Sequence, residues 1–253
     1  MKSIVSKITV GFAGVISLLM FIWPLLIPAT ATNQAHLAQG IFIGLMPVIL
    51  VLVLVEFSSG SIGSKQLAVL GVLIALNAVV RVLGAGTSGI ETAFFLIILG
   101  AYVFGSGFGF VLGSASLLVS ALLTGGIGPW LPFQMMAAGL VGLGAGTLPK
   151  FDSRWLKLAT LSIYAMVAAF VYGSLMTMWN WPFLAGSGGG LGYSAGAPIA
   201  ENLTHFFQYE LISGGFLWDA GRAVTTTVLI WLTAPALLAT LKRAAGRAGF
   251  EKN

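Results

Sequence analysis

The chain has 253 residues, of which 58% are hydrophobic and only 8% are charged. A soluble protein of this length could not cover its surface with so few charges, so the composition predicts an integral membrane protein. The absence of cysteine excludes disulfides, thiolate nucleophiles and cysteine-bound metals. The net charge of +5 is spread over the ends of apolar segments, which indicates membrane topology rather than a nucleic-acid-binding face.

Hydropathy predicts an all-α integral membrane protein with eight membrane spans. The first span is followed by Ala29-Thr30-Ala31, which could be a signal-peptide cleavage site, but the span is long enough to favour a retained helix. We expect an N-terminal transmembrane hairpin in residues 1–60 and a six-helix domain in residues 61–253. The predicted spans are 8–28, 37–55, 67–83, 90–104, 107–123, 131–148, 158–178 and 216–241.

The positions of the basic residues indicate the membrane topology and show that the fourth and fifth spans are separate. With eight spans and a cytoplasmic N-terminus, the C-terminus is also cytoplasmic, and most cations lie inside, as the positive-inside rule requires. Merging the two spans would move Lys150, Arg154 and Lys157 outside, so we predict a helix break within residues 105–107. The cations expected inside are Lys2, Lys7, Lys65, Lys150, Arg154, Lys157, Lys242, Arg243, Arg247 and Lys252.

Small residues form a stripe along the third span. In lipid, small residues allow helices to approach closely, either within the bundle or against a partner protein. The fifth and sixth spans also carry glycines at such spacings, and we expect these to hold the bundle together. The stripe consists of Ala68, Gly71, Ala75 and Ala78; the glycines are Gly105, Gly109, Gly113, Gly139, Gly142 and Gly146.

The ionisable residues of the spans lie at the ends that the predicted topology places outside the cell. Ionisable groups within a membrane are energetically costly, so their presence indicates function. They could line an outward-facing cavity together with amide and phenol side chains, a composition typical of small-molecule sites. Alternatively, Arg81 with Glu91, and Asp219 with Arg222, are structural ion pairs. No charged residue lies at the centre of a span, which argues against a proton-coupled carrier. The cavity residues are Asn77, Arg81, Glu91, Gln134, Tyr172, Asn180, Asp219 and Arg222.

The longest outer connection is predicted to be a loop over residues 179–215. Long loops with little secondary structure often act as lids, and this one carries several aromatic residues. A loop with an aromatic anchor at the membrane interface is the alternative. The chain has no P-loop, no HExxH motif and no recognisable nucleophile and base, so we expect neither an enzyme nor a bound cofactor or metal.

Three segments resemble the substrate-specific S components of energy-coupling factor (ECF) vitamin transporters, particularly the actinobacterial type. They read ALNAVVR (75–81), GSGFGFVLG (105–113) and LTGGIGPWLPFQ (123–134). The resemblance covers residues 65–243, which corresponds to the six spans of that family. The two spans within residues 1–60 are additional.

The resemblance implies a plasma-membrane subunit that binds a vitamin outside the bacterial cell. It would deliver the vitamin by reorienting against a transmembrane coupling subunit driven by two ATPases. Family members dock through small residues of early helices, which map to the stripe. Their substrate contacts come from outer loops and helix ends, which adds Thr124, Trp130 and Phe133 to the candidate site.

The resemblance favours cobalamin as the vitamin. Riboflavin is next, because Trp130 and Phe133 could stack on its ring system. A stand-alone secondary carrier and a membrane scaffold protein without a small ligand remain as alternatives.

Overall fold

The structure is a computed structural model, and it describes residues 11, 14, 15, 18–26, 40, 44, 48, 63–84, 89–184, 191–213 and 215–249. Every regular element within these ranges is an α-helix, as the sequence predicts. The helices are α1 (Trp23–Leu26), α2 (Ser64–Gly84), α3 (Phe94–Phe104), α4 (Ser106–Thr124), α5 (Leu131–Gly146), α6 (Arg154–Leu184), α7 (Ile199–Ile212) and α8 (Gly215–Ala248).

Four of these helices, α2, α4, α6 and α8, are long and apolar enough to cross a membrane. The apolar helices α3 and α5 have only 11 and 16 residues. At about 1.5 Å per residue, α3 is much shorter than the hydrocarbon core of about 30 Å. It is nevertheless apolar on all sides and almost entirely buried, so the surrounding helices, rather than lipid, cover it.

The predicted break between the fourth and fifth spans is confirmed. It falls at Gly105, which ends α3 and precedes α4 with a φ of 96°, a left-handed conformation that favours glycine. Just before the break, the backbone carbonyl of Tyr102 in α3 accepts a hydrogen bond from the Lys150 ammonium. The last carbonyls of a helix attract a cation, and Lys150 supplies a donor to one of them at the end of α3.

The helices α4 and α5 pack through their backbones. A Cβ atom built on Gly142 would lie 1.9 Å from the carbonyl oxygen of Gly109, and one built on Gly113 would lie 2.2 Å from that of Ala138. Side chains at these positions would force the helices apart. The prediction that these glycines hold the bundle together is therefore confirmed for this pair of helices.

Apart from Arg81 and Arg222, the basic residues that the structure describes gather at one end of the bundle, where α2 and α6 begin and α5 and α8 end. Two grooves at this end are lined by Lys65 with Arg243, and by Arg154 with Lys242. We call it the basic end. The opposite end, which includes Arg81 and the first turn of α8, is called the far end.

The prediction of a loop over residues 179–215 is wrong. The helix α6 continues through Trp181 to Leu184, and α7 forms a further helix after residues 191–198. Trp181 is fully buried, and its Nε1 donates to the carbonyl of Leu191 at 3.1 Å. The Asn202 side chain forms two hydrogen bonds with the backbone of Ser194, which fix α7 to the preceding turn.

The N-terminal hairpin predicted for residues 1–60 lies mostly outside the described residues. The described part near α1 packs on the far end of α5 and α6. Trp23 donates from Nε1 to the carbonyl of Trp179 at 3.1 Å, and the Phe21 ring lies 5.6 Å from that of Phe133. These contacts place the end of the first predicted span against α5 and α6.

Candidate polar site at the far end

The buried side chain of Tyr172 is the centre of the candidate site. It projects from α6 and is 5% exposed. The charges of Glu91, Arg222, Arg81 and Asp219 all act on its hydroxyl group. The four predicted ionisable residues, which are far apart in the sequence, therefore lie within electrostatic range of one phenol.

An ion pair between Asp219 and Arg222 forms one side of this site. The two residues are three positions apart on the first turns of α8, which places them on one helix face, and their side chains are 5% and 15% exposed. The Arg222 guanidinium lies 4.9 Å from the centre of the Tyr172 ring and 5.9 Å from that of Phe94. The guanidinium is thus held by a carboxylate and by two aromatic rings.

The absence of a side chain at Gly173 makes room for this ion pair. A Cβ atom at Gly173 would lie 1.9 Å from Oδ1 and 2.0 Å from Oδ2 of Asp219. The carboxylate therefore occupies the space directly above the backbone of α6. A similar close contact lies beside it, where a Cβ atom on Gly221 would be 2.9 Å from the Cα atom of Gly89.

The second side of the site is formed by α2 and α4. Arg81 donates from Nη1 to Oγ of Ser120 at 3.0 Å. Its Nε atom, and both polar atoms of the fully buried Asn77 amide, have no hydrogen-bond partner in the part of the chain that the structure describes. Leaving a buried polar group unpaired costs about 1–3 kcal/mol, which makes these groups candidates for contact with a polar ligand.

Of the two ion pairs considered as structural alternatives, the structure shows only one. Asp219 and Arg222 pair as their spacing indicates. Arg81 bonds to Ser120 instead of Glu91, whose Oε1 accepts a hydrogen bond from the backbone N–H of Ala93 at 3.1 Å. Glu91 thus satisfies a backbone donor at the start of α3, where a negative charge is favourable.

The aromatic residues proposed for the site do not form one wall. Trp130 is 44% exposed and donates from Nε1 to the carbonyl of Gly126 at 3.3 Å. Phe133 is buried and stacks on Trp179, with ring centres 4.1 Å apart and an interplanar angle of 8°. Trp130 therefore has accessible ring surface, whereas Phe133 belongs to the packing between α5 and α6.

Three polar residues of the predicted site lie at its edges. Thr124 donates from Oγ1 to the carbonyl of Ser120 in the preceding turn at 2.9 Å. The side chains of Gln134 and Asn180 are half-buried at the far end of α5 and α6. The structure gives none of them the central position that Tyr172 occupies.

Sequence reasoning missed four residues of this region: Phe94, Ser120, Gly173 and Thr226. Thr226 is fully buried on α8, and its hydroxyl has no partner among the described residues. The spacing from Ser116 to Ser120 could have indicated a polar face on α4. Gly173 carries no such signal, because its role depends on which residue of α8 faces it.

The small-residue stripe is largely exposed. Ala68, Gly71 and Ala75 are exposed on α2, and a Cβ atom built on Gly71 would meet no atom within 4 Å. Ala78 is fully buried instead. At about 100° per residue, it is rotated by about 80° from Ala68, which brings it to the edge of the buried face.

The fold and the far-end cluster define a class of protein: an integral membrane bundle of α-helices with ionisable groups enclosed near one end. A family model described as the substrate-specific component of ECF transporters matches residues 65–241. The match covers more than half of the chain, which therefore belongs to this family. The predicted resemblance to the S components of ECF transporters is confirmed, whereas the actinobacterial type remains a prediction.

Membership of this family gives the chain its general function. It is a membrane-embedded substrate-binding subunit of an ECF transporter, which works with the other subunits of that transporter and is not an enzyme. The comparisons with curated proteins and with solved structures give no match.

Proposed function

We propose that this subunit binds a vitamin at the far end, around Tyr172, with cobalamin as the first candidate and riboflavin as the second. The observation that carries the proposal is the gathering of four charged groups, of which Asp219 is buried, near the buried Asn77 amide, which has no partner among the described residues. Charged groups in a membrane protein are costly and are retained where they bind or move a substrate.

The unpaired groups indicate which chemistry the ligand presents. Asn77 Nδ2, Arg81 Nε and Arg222 Nε are buried donors without partners in the described ranges. Carbonyl, phosphate or ring-nitrogen acceptors on the ligand would satisfy them. Cobalamin carries peripheral amides and a phosphate, and riboflavin carries ring carbonyls and nitrogens. The exposed indole of Trp130 could stack on the flat part of either ligand.

The orientation follows from the distribution of charge. We propose that the basic end faces the cytoplasm and the far end faces outwards, as the positive-inside rule favours. Both termini are then cytoplasmic, and the ligand enters from outside. The transmembrane coupling subunit would dock on the exposed part of the stripe, Ala68, Gly71 and Ala75, where no side chain prevents close approach. Two ATPases bound to that subunit would supply the energy.

Calorimetry with a panel of vitamins tests the proposal on the purified full chain in detergent. We expect saturable binding of one vitamin, weakened about 10–100-fold by Arg81→Ala or Arg222→Ala, since a lost hydrogen bond to a charged group costs about 1.5–3 kcal/mol. Val79→Ala on α2 and Val224→Ala on α8 are matched controls, because both side chains are exposed on the same helices.

Two results would contradict the proposal. If a folded, monodisperse protein binds no vitamin of the panel, the proposed vitamin site is refuted and a scaffold role is favoured. Unchanged affinity in both arginine variants would place the ligand away from Tyr172.

A further inference from the structure

A groove at the basic end combines cations with an apolar floor. It lies between the start of α6 and the last turns of α8 and has a volume of about 330 Å³. Leu158 and Leu238, both almost fully buried, form its floor. The complete lining is Arg154, Lys157, Leu158, Pro235, Leu238, Ala239 and Lys242.

Three cations, Arg154, Lys157 and Lys242, line this groove. None of them forms an ion pair with a carboxylate in the ranges that the structure describes. The positive charge of the groove also acts on the neighbouring Lys150. Its pKa is lowered to about 8, mainly by burial and additionally by the positive charge of Lys242. The groove therefore has a positive potential that an anion would neutralise.

Two tryptophans stand beside the groove on the surface of the same helices. Trp155 and Trp231 are 68% and 43% exposed, and their ring centres lie 5.9 Å apart. Trp231 donates from Nε1 to Oγ of Ser162 at 2.9 Å, which fixes its ring one turn before Pro235. Exposed tryptophans are enriched at the level of lipid headgroups, so the groove lies at a membrane interface.

We propose that this groove binds the headgroup of an anionic phospholipid. The phosphate would contact Arg154, Lys157 and Lys242, and the glycerol and acyl chains would lie along Leu158 and the tryptophan pair. Basic pockets between membrane helices are suited to such headgroups. A lipid fits better than an acidic protein segment, because the two helices that form the groove also carry exposed apolar side chains such as Ile163 and Leu232.

The proposed site is separate from the proposed docking face. The groove is formed by α6 and α8, whereas the small-residue stripe lies on α2. Lipid binding can therefore be tested on the isolated chain and does not depend on the identity of the vitamin. Failure of one proposal leaves the other intact.

Native mass spectrometry of the full chain in detergent provides the test. Dioleoyl phosphatidylglycerol and dioleoyl phosphatidylcholine are added separately, and the fraction of protein that retains lipid is measured. We expect preferential retention of phosphatidylglycerol. Each removed cation should weaken it about fivefold, and Arg154→Gln/Lys157→Gln/Lys242→Gln about 100-fold. Glycerol phosphate should compete only weakly, because it lacks acyl chains.

The second basic groove supplies a matched control. Lys65→Gln/Arg243→Gln/Arg247→Gln removes the same charge from the groove between α2 and α8 and should leave most of the retention intact. Equal loss in both triple variants, or equal retention of the two lipids by the unchanged protein, would overturn the proposal. Full competition by glycerol phosphate would identify a soluble-anion site instead. If the triple variant does not fold, the single variant Lys242→Gln, at an exposed position, replaces it in the test and should weaken lipid retention about fivefold.

Discussion

Replacing Gly173 by alanine tests the central packing contact of the far-end site. The new methyl group would lie about 2 Å from the Asp219 carboxylate, well inside van der Waals contact. Either α6 and α8 move apart or Asp219 leaves its position beside Arg222. Overpacking of this kind costs about 1–3 kcal/mol. For a domain of this size, the melting temperature should fall by about 2–10 °C.

The assay is thermal unfolding of the purified chain in detergent, followed by near-ultraviolet circular dichroism. Gly71→Ala is the matched control, because its methyl group meets no atom within 4 Å and alanine favours a helix more than glycine does. Its melting temperature should stay the same or rise slightly.

A double-mutant cycle decides whether Asp219 is the residue that clashes. Asp219→Ala removes the carboxylate, so it should destabilise the Gly173→Ala protein less than the unchanged protein, with a coupling of about 1 kcal/mol or more. If Gly173→Ala melts like the unchanged protein, or if the two substitutions are additive, the described contact between α6 and α8 is refuted.

Three further predictions concern the rest of the bundle. Ser120→Ala removes the acceptor of Arg81 and should cost about 1–3 kcal/mol, measurable as a lower melting temperature; an unchanged value would contradict the hydrogen bond. Gly142→Ala should cost about 3 kcal/mol or more in the same assay, since its methyl group would meet the rigid backbone of Gly109; wild-type stability would refute the close crossing. The third is a pH effect at Lys150. Because its pKa is about 8 in the folded protein and 10.5 as the ordinary value, the unfolded chain binds more protons between these pH values. Lys150 therefore makes stability rise with pH over this interval. Lys150→Met should remove that part of the rise in melting temperature, and an identical pH profile in the variant would contradict the lowered pKa.

The helix break and the ion pair were predictable because both depend on local rules. The charges at Lys150, Arg154 and Lys157 decided that the apolar run had to reverse near Gly105. The three-residue spacing of Asp219 and Arg222 put both on one helix face. Neither prediction needed knowledge of tertiary contacts.

The helix α7 was missed although its signal was present. Asn202, Phe206 and Glu210 are its buried residues and follow one another at four-residue intervals, which is the helical period. The glycine-rich run at 186–192 is typical of a loop and obscures this pattern. The partner of Arg81 could not be predicted, because it depends on how α2 packs against α4. The site residues as a set, the ligand and the docking stripe remain predictions.

Uptake into proteoliposomes tests the central claim most directly. The chain would be reconstituted alone, or with an ECF coupling subunit and two ATPases, and accumulation of labelled cobalamin and riboflavin measured with and without ATP. The account predicts accumulation of one vitamin only with the complete assembly and ATP. Accumulation by the chain alone, driven by an ion gradient, would contradict it and identify a stand-alone carrier.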